Sequence, residues 1–286
     1  MQRGCVAQLV EHWTFNPRVL GSTPNAPMYE NLRGYIIHML YTPLEQFQVV
    51  ALLPVRIGSL DLSFTNTALF TVVVFSAILF FLGMPLINSK VVPTRWQSVP
   101  ELMYEFVVGV IKENVGPRGM QYFPFIFVLF AFILFCNLVG MVPYSYTVTS
   151  HLIITCGFSV SIFLGVTLIG LVRHKVHFFS FFMPPGVSIV AAPFLVLIEL
   201  VSYLARAVSL GVRLFANMMS GHTLVKILAG FGWTMLTSGG FFMLLSIFPV
   251  LVVLAVTGLE IGVALIQAYV FTILTCLYIK DAFDLH

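Results

Sequence analysis

Four side chains stand out as capable of chemistry because of where they sit. Glu199, Arg206, Arg213 and His222 all lie inside one apolar stretch, LVLIELVSYLARAVSLGVRLFANMMSGHTLV (195–225), with Ser202, Ser209, Asn217 and Ser220 between them. Glu199, Ser202, Arg206, Ser209, Arg213, Asn217 and Ser220 are separated by 3, 4, 3, 4, 4 and 3 residues. Such steps keep residues on one face of an α-helix. The other faces are Leu, Val, Ala, Phe and Met. The stretch is therefore expected to be a lipid-compatible helix with one polar stripe. A charge at bilayer depth costs roughly 2.5–3.5 kcal/mol. Two arginines and a glutamate on one stripe thus require partners or a water-filled cavity.

A second stripe lies near the C-terminus. Glu260 and Gln267 are seven residues apart, two helical turns on one face, and Tyr278 and Asp281 continue the line. Packed antiparallel, the two stripes are expected to hold Arg213 near Gln267, His222 near Glu260 and Glu199 near Asp281. His222 and Glu260 can exchange protons, as can Glu199 and Asp281 on the other side. Arg213 cannot be deprotonated. A permanent cation between two proton-exchanging clusters blocks a continuous proton wire and attracts a carboxylate carried by a partner. That is the requirement for an ion path built from two offset half-channels. Blander roles compete with it. Arg206 pairs with Glu199 or snorkels, Asp281 is solvated near a helix end, and the serines bond backbone carbonyls at packing seams.

The composition says what must hold these stripes. Hydrophobic residues make up 59% of the 286 residues and charged residues 9%, against about 25% charged in soluble domains. Several apolar runs exceed the roughly 18–20 residues that cross hydrocarbon. The expected fold is all-α and polytopic in the membrane, with about five embedded helices and one amphipathic surface helix. The spans fall at 67–88, 120–142 and 150–172, followed by two long helical patterns at about 187–230 and 241–281. The amphipathic helix falls within VPELMYEFVVGVIKENVG (99–116), whose acids lie opposite its apolar face. Each long pattern would run on the order of 60 Å, about twice the hydrocarbon thickness, so a steeply tilted antiparallel pair is expected. FGWTMLTSGG (231–240) reads as the turn between them, and Pro193 and Pro249 as kinks near their beginnings.

Residues 42–66 alternate apolar and polar groups and are expected at an interface; residues 1–41 read as an extension, cleaved or disordered. Pro184, Pro185 and Gly186 break the chain before the first long helix. The 89–119 loop carries four Lys/Arg and the 173–175 loop two, whereas 143–149 and 231–240 carry none. The positive-inside rule then puts the N-terminus outside and the C-terminus inside. A net charge of +3 without a dense basic run gives no sign of nucleic-acid binding. Cys5, Cys136, Cys156 and Cys276 have no metal spacing, and three of them read as small thiols inside apolar helices. No metal or cofactor is expected.

SLGVRLFANMMSGH (209–222) resembles the signature of subunit a of the F-type ATP synthase, the proton-channel family. TPLEQF (42–47) is similar to the start of mature mitochondrial members, and GLEIGVALIQAYVFTIL (258–274) to the family's last helix. The resemblance covers roughly 42–286. It implies a non-catalytic stator subunit in the mitochondrial inner membrane, with its N-terminus toward the intermembrane space and its C-terminus in the matrix. It also implies as partners a ring of hairpin c subunits, peripheral-stalk and other membrane-sector subunits, and the lipid bilayer. Arg213 then resembles the family's essential arginine. His222 and Glu260 resemble the channel pair on the intermembrane-space side, with the histidine first as in mitochondrial forms. Glu199 and Asp281 resemble the matrix-side exit, and Asn217 and Gln267 match polar residues near the arginine. Arg206, Ser209 and Tyr278 take supporting places. Two other classes compete. A stand-alone transporter using Arg213 for an anionic substrate would need internal repeats, which the sequence lacks. A purely structural anchor leaves the two titratable clusters without a role.

Overall fold

The computed structural model describes residues 44–57, 60–87, 90, 92–142, 145–175 and 192–283. The 1–41 extension and the Pro184–Pro185–Gly186 break lie outside the described residues. Contacts divide the chain after Glu45, and the fold below is that of the unit from Gln46 onward.

Residues 46–66 form a ribbon of two short antiparallel pairs. Strand β1 (Ala51–Leu53) pairs with β4 (Phe64–Thr65), and β2 (Arg56–Ile57) with β3 (Leu60–Asp61). Asn66 pins the ribbon to the first helix. Its side chain accepts from the Val50 N–H at 3.2 Å and donates to the Gln48 carbonyl at 3.0 Å.

Among the described residues seven α-helices follow. Helix α1 (Asn66–Ile87) is apolar all round and turns Val72, Phe75, Leu79 and Phe80 outward, as a lipid-facing span must. Helix α2 (Arg95–Asn114) is the expected amphipathic one: Val107, Val110 and Ile111 are buried, while Glu105, Lys112 and Glu113 face away. After Gly116, whose positive φ of 81° turns the chain, a 3-10 segment (Pro117–Tyr122) leads into α3 (Phe123–Gly140), the central, most buried span. Helix α4 (Leu152–His174) returns. Arg173, in its last turn, stacks 4.5 Å over the Phe283 ring.

Helix α5 (Ala192–Ser238) runs unbroken for 47 residues, about 70 Å. The expected turn at 231–240 is thereby corrected. Trp233, Met235 and Leu236 continue the helix, and the reversal needs only Gly239 and Gly240, both at positive φ. The last pattern is likewise not one helix: α6 (Phe241–Leu245) is separated from α7 (Ile247–Phe283) at Ser246. Pro249 explains the break. A proline cannot donate to the carbonyl four residues earlier, here Leu245, and its ring crowds that carbonyl. Among the described residues five helical stretches are long and apolar enough to cross a membrane: Asn66–Pro85, Pro117–Gly140, Leu152–His174, Phe194–Ser238 and Phe241–Phe283. The fold is that of an all-α polytopic membrane protein. A helix of α5's length stays within hydrocarbon only on an oblique path.

The core lies where α2, α3, α4, α5 and α7 meet, around Ile111, Ile126, Ile133, Leu210, Leu214 and Phe271. Cys136 and Cys276 are buried there as free thiols. Ala207, Leu210, Leu214 and Met218 form the buried ridge of α5. At Gly211 the α4 backbone comes so close that a Cβ would fall 2.8 Å from Cys156 Cα. Beside it Ser159 Oγ donates to the Ala207 carbonyl at 2.6 Å. These contacts fix the rotation of α5 and hence the direction of its polar stripe.

Candidate functional site

Helices α5 and α7 pack antiparallel, and their polar residues meet at three levels. At the first, Arg206 lies between two carboxylates. Its Nη2 is 3.7 Å from Glu199 Oε1 and its Nη1 3.2 Å from Asp281 Oδ2. Tyr278 Oη donates to the Arg206 carbonyl at 3.4 Å. The expected meeting of Glu199 and Asp281 thus runs through Arg206, whose expected roles were pairing with Glu199 or snorkelling. The three side chains are 35–40% exposed, so in water such a cluster would add at most about 1 kcal/mol per pair.

At the second level Asn217 Nδ2 donates to Gln267 Oε1 at 2.9 Å. Gln267 is 3% exposed, and its Nε2 has no partner among the described residues. Arg213 stands one turn before Asn217, and its side chain is exposed. Among the described residues it makes no hydrogen bond or ion pair. The expected Arg213–Gln267 contact is therefore made by Asn217 instead. Arg213 is left facing outward, a fixed cation on a surface it shares with the exposed Val208 and Val212. Ser209 is exposed on the same helix.

At the third level His222 and Glu260 line one cavity of about 240 Å³ together with Asn217, Ser220, Gly221 and Met141. They share this space, but the hydrogen bond of His222 goes elsewhere: its Nε2 lies 3.2 Å from Thr147 Oγ1. Glu260 is 8% exposed and lies against Gly221, and its Oε1 has no partner among the described residues. A buried carboxylate oxygen left open beside a cavity of this size is a group that water or a partner would satisfy.

Sequence reasoning passed over the loop between α3 and α4. It took 143–149 only as a stretch without charge. Yet Tyr146, Thr147, Val148, Thr149 and Ser150 are all buried. Thr149 Oγ1 donates to Asn137 Oδ1, and Asn137 Nδ2 to the Ala264 carbonyl, joining the loop to α7. Tyr146 is hydrogen-bonded to His151, and the Thr67 hydroxyl donates to the Tyr146 oxygen at 3.1 Å. Partial burial lowers the His151 pKa and raises that of Tyr146. The density of hydroxyls in SYTVTS was the signal available.

Among the described residues no three His, Cys, Asp or Glu side chains come together as metal ligands. The arrangement suits proton exchange: two titratable clusters at opposite ends of a helix pair, with an amide pair and a fixed cation between them.

The family model described as ATP synthase A chain matches residues 66–280. The chain is 52% identical over 252 residues to ATP synthase subunit a of Marchantia polymorpha, covering 87% of this chain and 100% of that protein. It is 53% identical over 254 residues to ATP synthase subunit a of Brassica napus, covering 86% and 97%. With ATP synthase subunit a of Chondrus crispus it shares 46% identity over 250 residues, covering 87% and 99%.

Proposed function

The chain belongs to the ATP synthase subunit a family, a proton-translocating component of the membrane sector, and on that premise we propose how its residues divide the work. His222 and Glu260 form the inner end of a half-channel open to the intermembrane space. Glu199 and Asp281, bridged by Arg206, form the half-channel open to the matrix. Arg213 stands between them and faces the c-ring. Asn217 and Gln267 hold the two helices in register beside it.

The observation that carries this reading is an outward-facing Arg213, without a hydrogen bond or ion pair among the described residues, with a titratable cluster to either side on the same helix pair. A ring carboxylate passing Arg213 is kept ionised by it and cannot carry its proton straight across. Each proton must enter from one cluster, ride the ring and leave through the other. One charge moved through 100 mV is worth roughly 2.3 kcal/mol, and this route turns that energy into rotation. The subunit itself catalyses no bond chemistry. It is a stator in the mitochondrial inner membrane, N-terminus toward the intermembrane space and C-terminus in the matrix, held by peripheral-stalk and other membrane-sector subunits.

Sidedness tests the assignment. Ser220 and Ser202 are exposed positions near the two clusters. In assembled complexes, Ser220→Cys is expected to react with an impermeant thiol reagent added on the intermembrane-space side, and Ser202→Cys with reagent on the matrix side. Reaction of both from the same side would rule out two opposed half-channels.

A further inference from the structure

Thr147 reaches His222 from outside the α5–α7 pair. It is 5% exposed, and its Oγ1 lies 3.3 Å from the Gly140 carbonyl oxygen and 3.2 Å from His222 Nε2. A threonine hydroxyl has one proton to give and two lone pairs. A carbonyl can only accept, so both contacts are hydrogen bonds at once only when that proton goes to Gly140. The oxygen then meets His222 with a lone pair, and Nε2 must be the nitrogen that carries hydrogen. In the neutral ring this leaves Nδ1 bare.

The local structure supports this order of donors. Gly140 ends α3, and its carbonyl is among those a helix terminus leaves without an intrahelical partner. The Ser145 hydroxyl lies 3.1 Å from the same carbonyl oxygen, but its shorter contact, 2.6 Å, is to the Val139 carbonyl, which leaves the Gly140 oxygen to Thr147. A Cβ on Gly140 would fall 2.7 Å from Thr147 Cγ2 and 3.0 Å from its Oγ1. The glycine therefore admits the threonine, and the helix end supplies the acceptor that orients it.

We propose that Thr147, held by the Gly140 carbonyl, is a positioning residue that keeps the Nε2–H of His222 in place and makes Nδ1 the nitrogen that takes up and releases the transported proton. Uptake adds a proton to Nδ1 and gives the imidazolium. Release removes that same proton, because the Nε2–H bond stays committed to Thr147. The other titratable or charged groups on the elements around His222 are Glu260 on α7, Lys226 one turn further along α5, and Tyr146 and His151 in the loop. The transport role of Nδ1 rests on the proposed function; the placement of the ring proton does not.

The test uses the whole ATP synthase with ¹⁵N-labelled histidine and reads ring nitrogens by solid-state NMR. The His222 signals are those lost in His222→Gln. In the parent, Nε2 is expected to be protonated and Nδ1 bare at a pH where the ring is neutral. Thr147→Val keeps the shape without the hydroxyl. It is expected to let the proton redistribute to Nδ1, to change the pH profile of ATP-driven pumping, and to lower its rate at least about tenfold, short of the roughly hundredfold or more that a missing acid–base group forfeits. Thr147→Ser restores the hydroxyl and is expected to behave like the parent. A bare Nε2 in the parent would overturn the proposal, as would a Thr147→Val complex that matches the parent, or a Thr147→Ser complex as defective as Thr147→Val. If Thr147→Val does not assemble, the ring proton in the parent and the serine variant decides. If His222→Gln pumps normally, His222 leaves the proton path, while the NMR result for the ring proton still stands by itself.

Discussion

Gly221→Ala separates an effect on folding from an effect on proton transfer. A Cβ at Gly221 would lie 2.7 Å from Glu260 Oε1, 2.9 Å from Cδ and 3.2 Å from Cγ. Ordinary contact begins at 3.4 Å, so the carboxylate oxygen must retreat by about 0.7 Å. These atoms are the far end of a flexible side chain beside a cavity of about 240 Å³, so Glu260 can swing aside with little strain. Alanine also favours the helix over glycine by about 1 kcal/mol. Neither effect is large, and the complex is expected to assemble with its thermal stability within about 1 kcal/mol of the parent. Proton transfer is less forgiving: an error of about 1 Å can reduce a rate about a hundredfold. ATP-driven pumping in reconstituted vesicles is therefore expected to fall about ten- to a hundredfold. Gly262→Ala, on α7 with nothing within 4 Å of its added Cβ, is the control and is expected to pump normally. Normal pumping by Gly221→Ala would refute the reasoning that the position of Glu260 limits transfer.

Gly211→Ala should fail in the opposite way. Its Cβ would meet backbone, 2.8 Å from Cys156 Cα and 3.0 Å from the Thr155 carbonyl, so a loss of about 1–3 kcal/mol is expected, seen as less assembled complex on native gels. A double-mutant cycle with Arg206→Ala and Asp281→Ala should give a coupling of at most about 1 kcal/mol in thermal unfolding of the complex, because both side chains are more than a third exposed. For His151, burial lowers the folded-state pKa below its usual 6.5. As pH falls through 6.5 the unfolded chain takes up the proton first, so stability falls there and levels off below the folded value. His151→Gln should flatten that part of the Tm–pH curve of the complex, and an unchanged curve would remove His151 as its source.

Much of the site could be read from spacing because an oily helix makes every polar residue conspicuous. The stripes at Glu199–Ser220 and Glu260–Asp281 are on helices α5 and α7, and Gln267 and Glu260 occupy the buried face of α7. What spacing could not supply is the relative height of two packed helices. Periodicity describes one helix at a time, and Arg213, Asn217 and Gln267 are compatible with more than one vertical offset. The close approach at Gly221, the Asn217–Gln267 bond and the Arg206–Asp281 pair settle it. Thr147 was illegible for a related reason: its partner is 75 residues away, and a neutral loop carries no charge pattern. At 231–240 Gly232 stays inside the helix and the break waits for Gly239 and Gly240, while at Pro249 the breaking signal was present but acts four residues upstream.

Passive proton conduction through the c-ring-containing membrane sector in liposomes tests most directly whether Arg213 separates two half-channels. Arg213→Ala is compared with the parent and with Arg213→Lys, and ATP-driven pumping is measured on the same assembled complexes. The expected result is loss of coupled pumping in Arg213→Ala with passive proton flow retained or raised. Coupled pumping equal to the parent would mean that Arg213 is structural, and the division into two half-channels would fall with it.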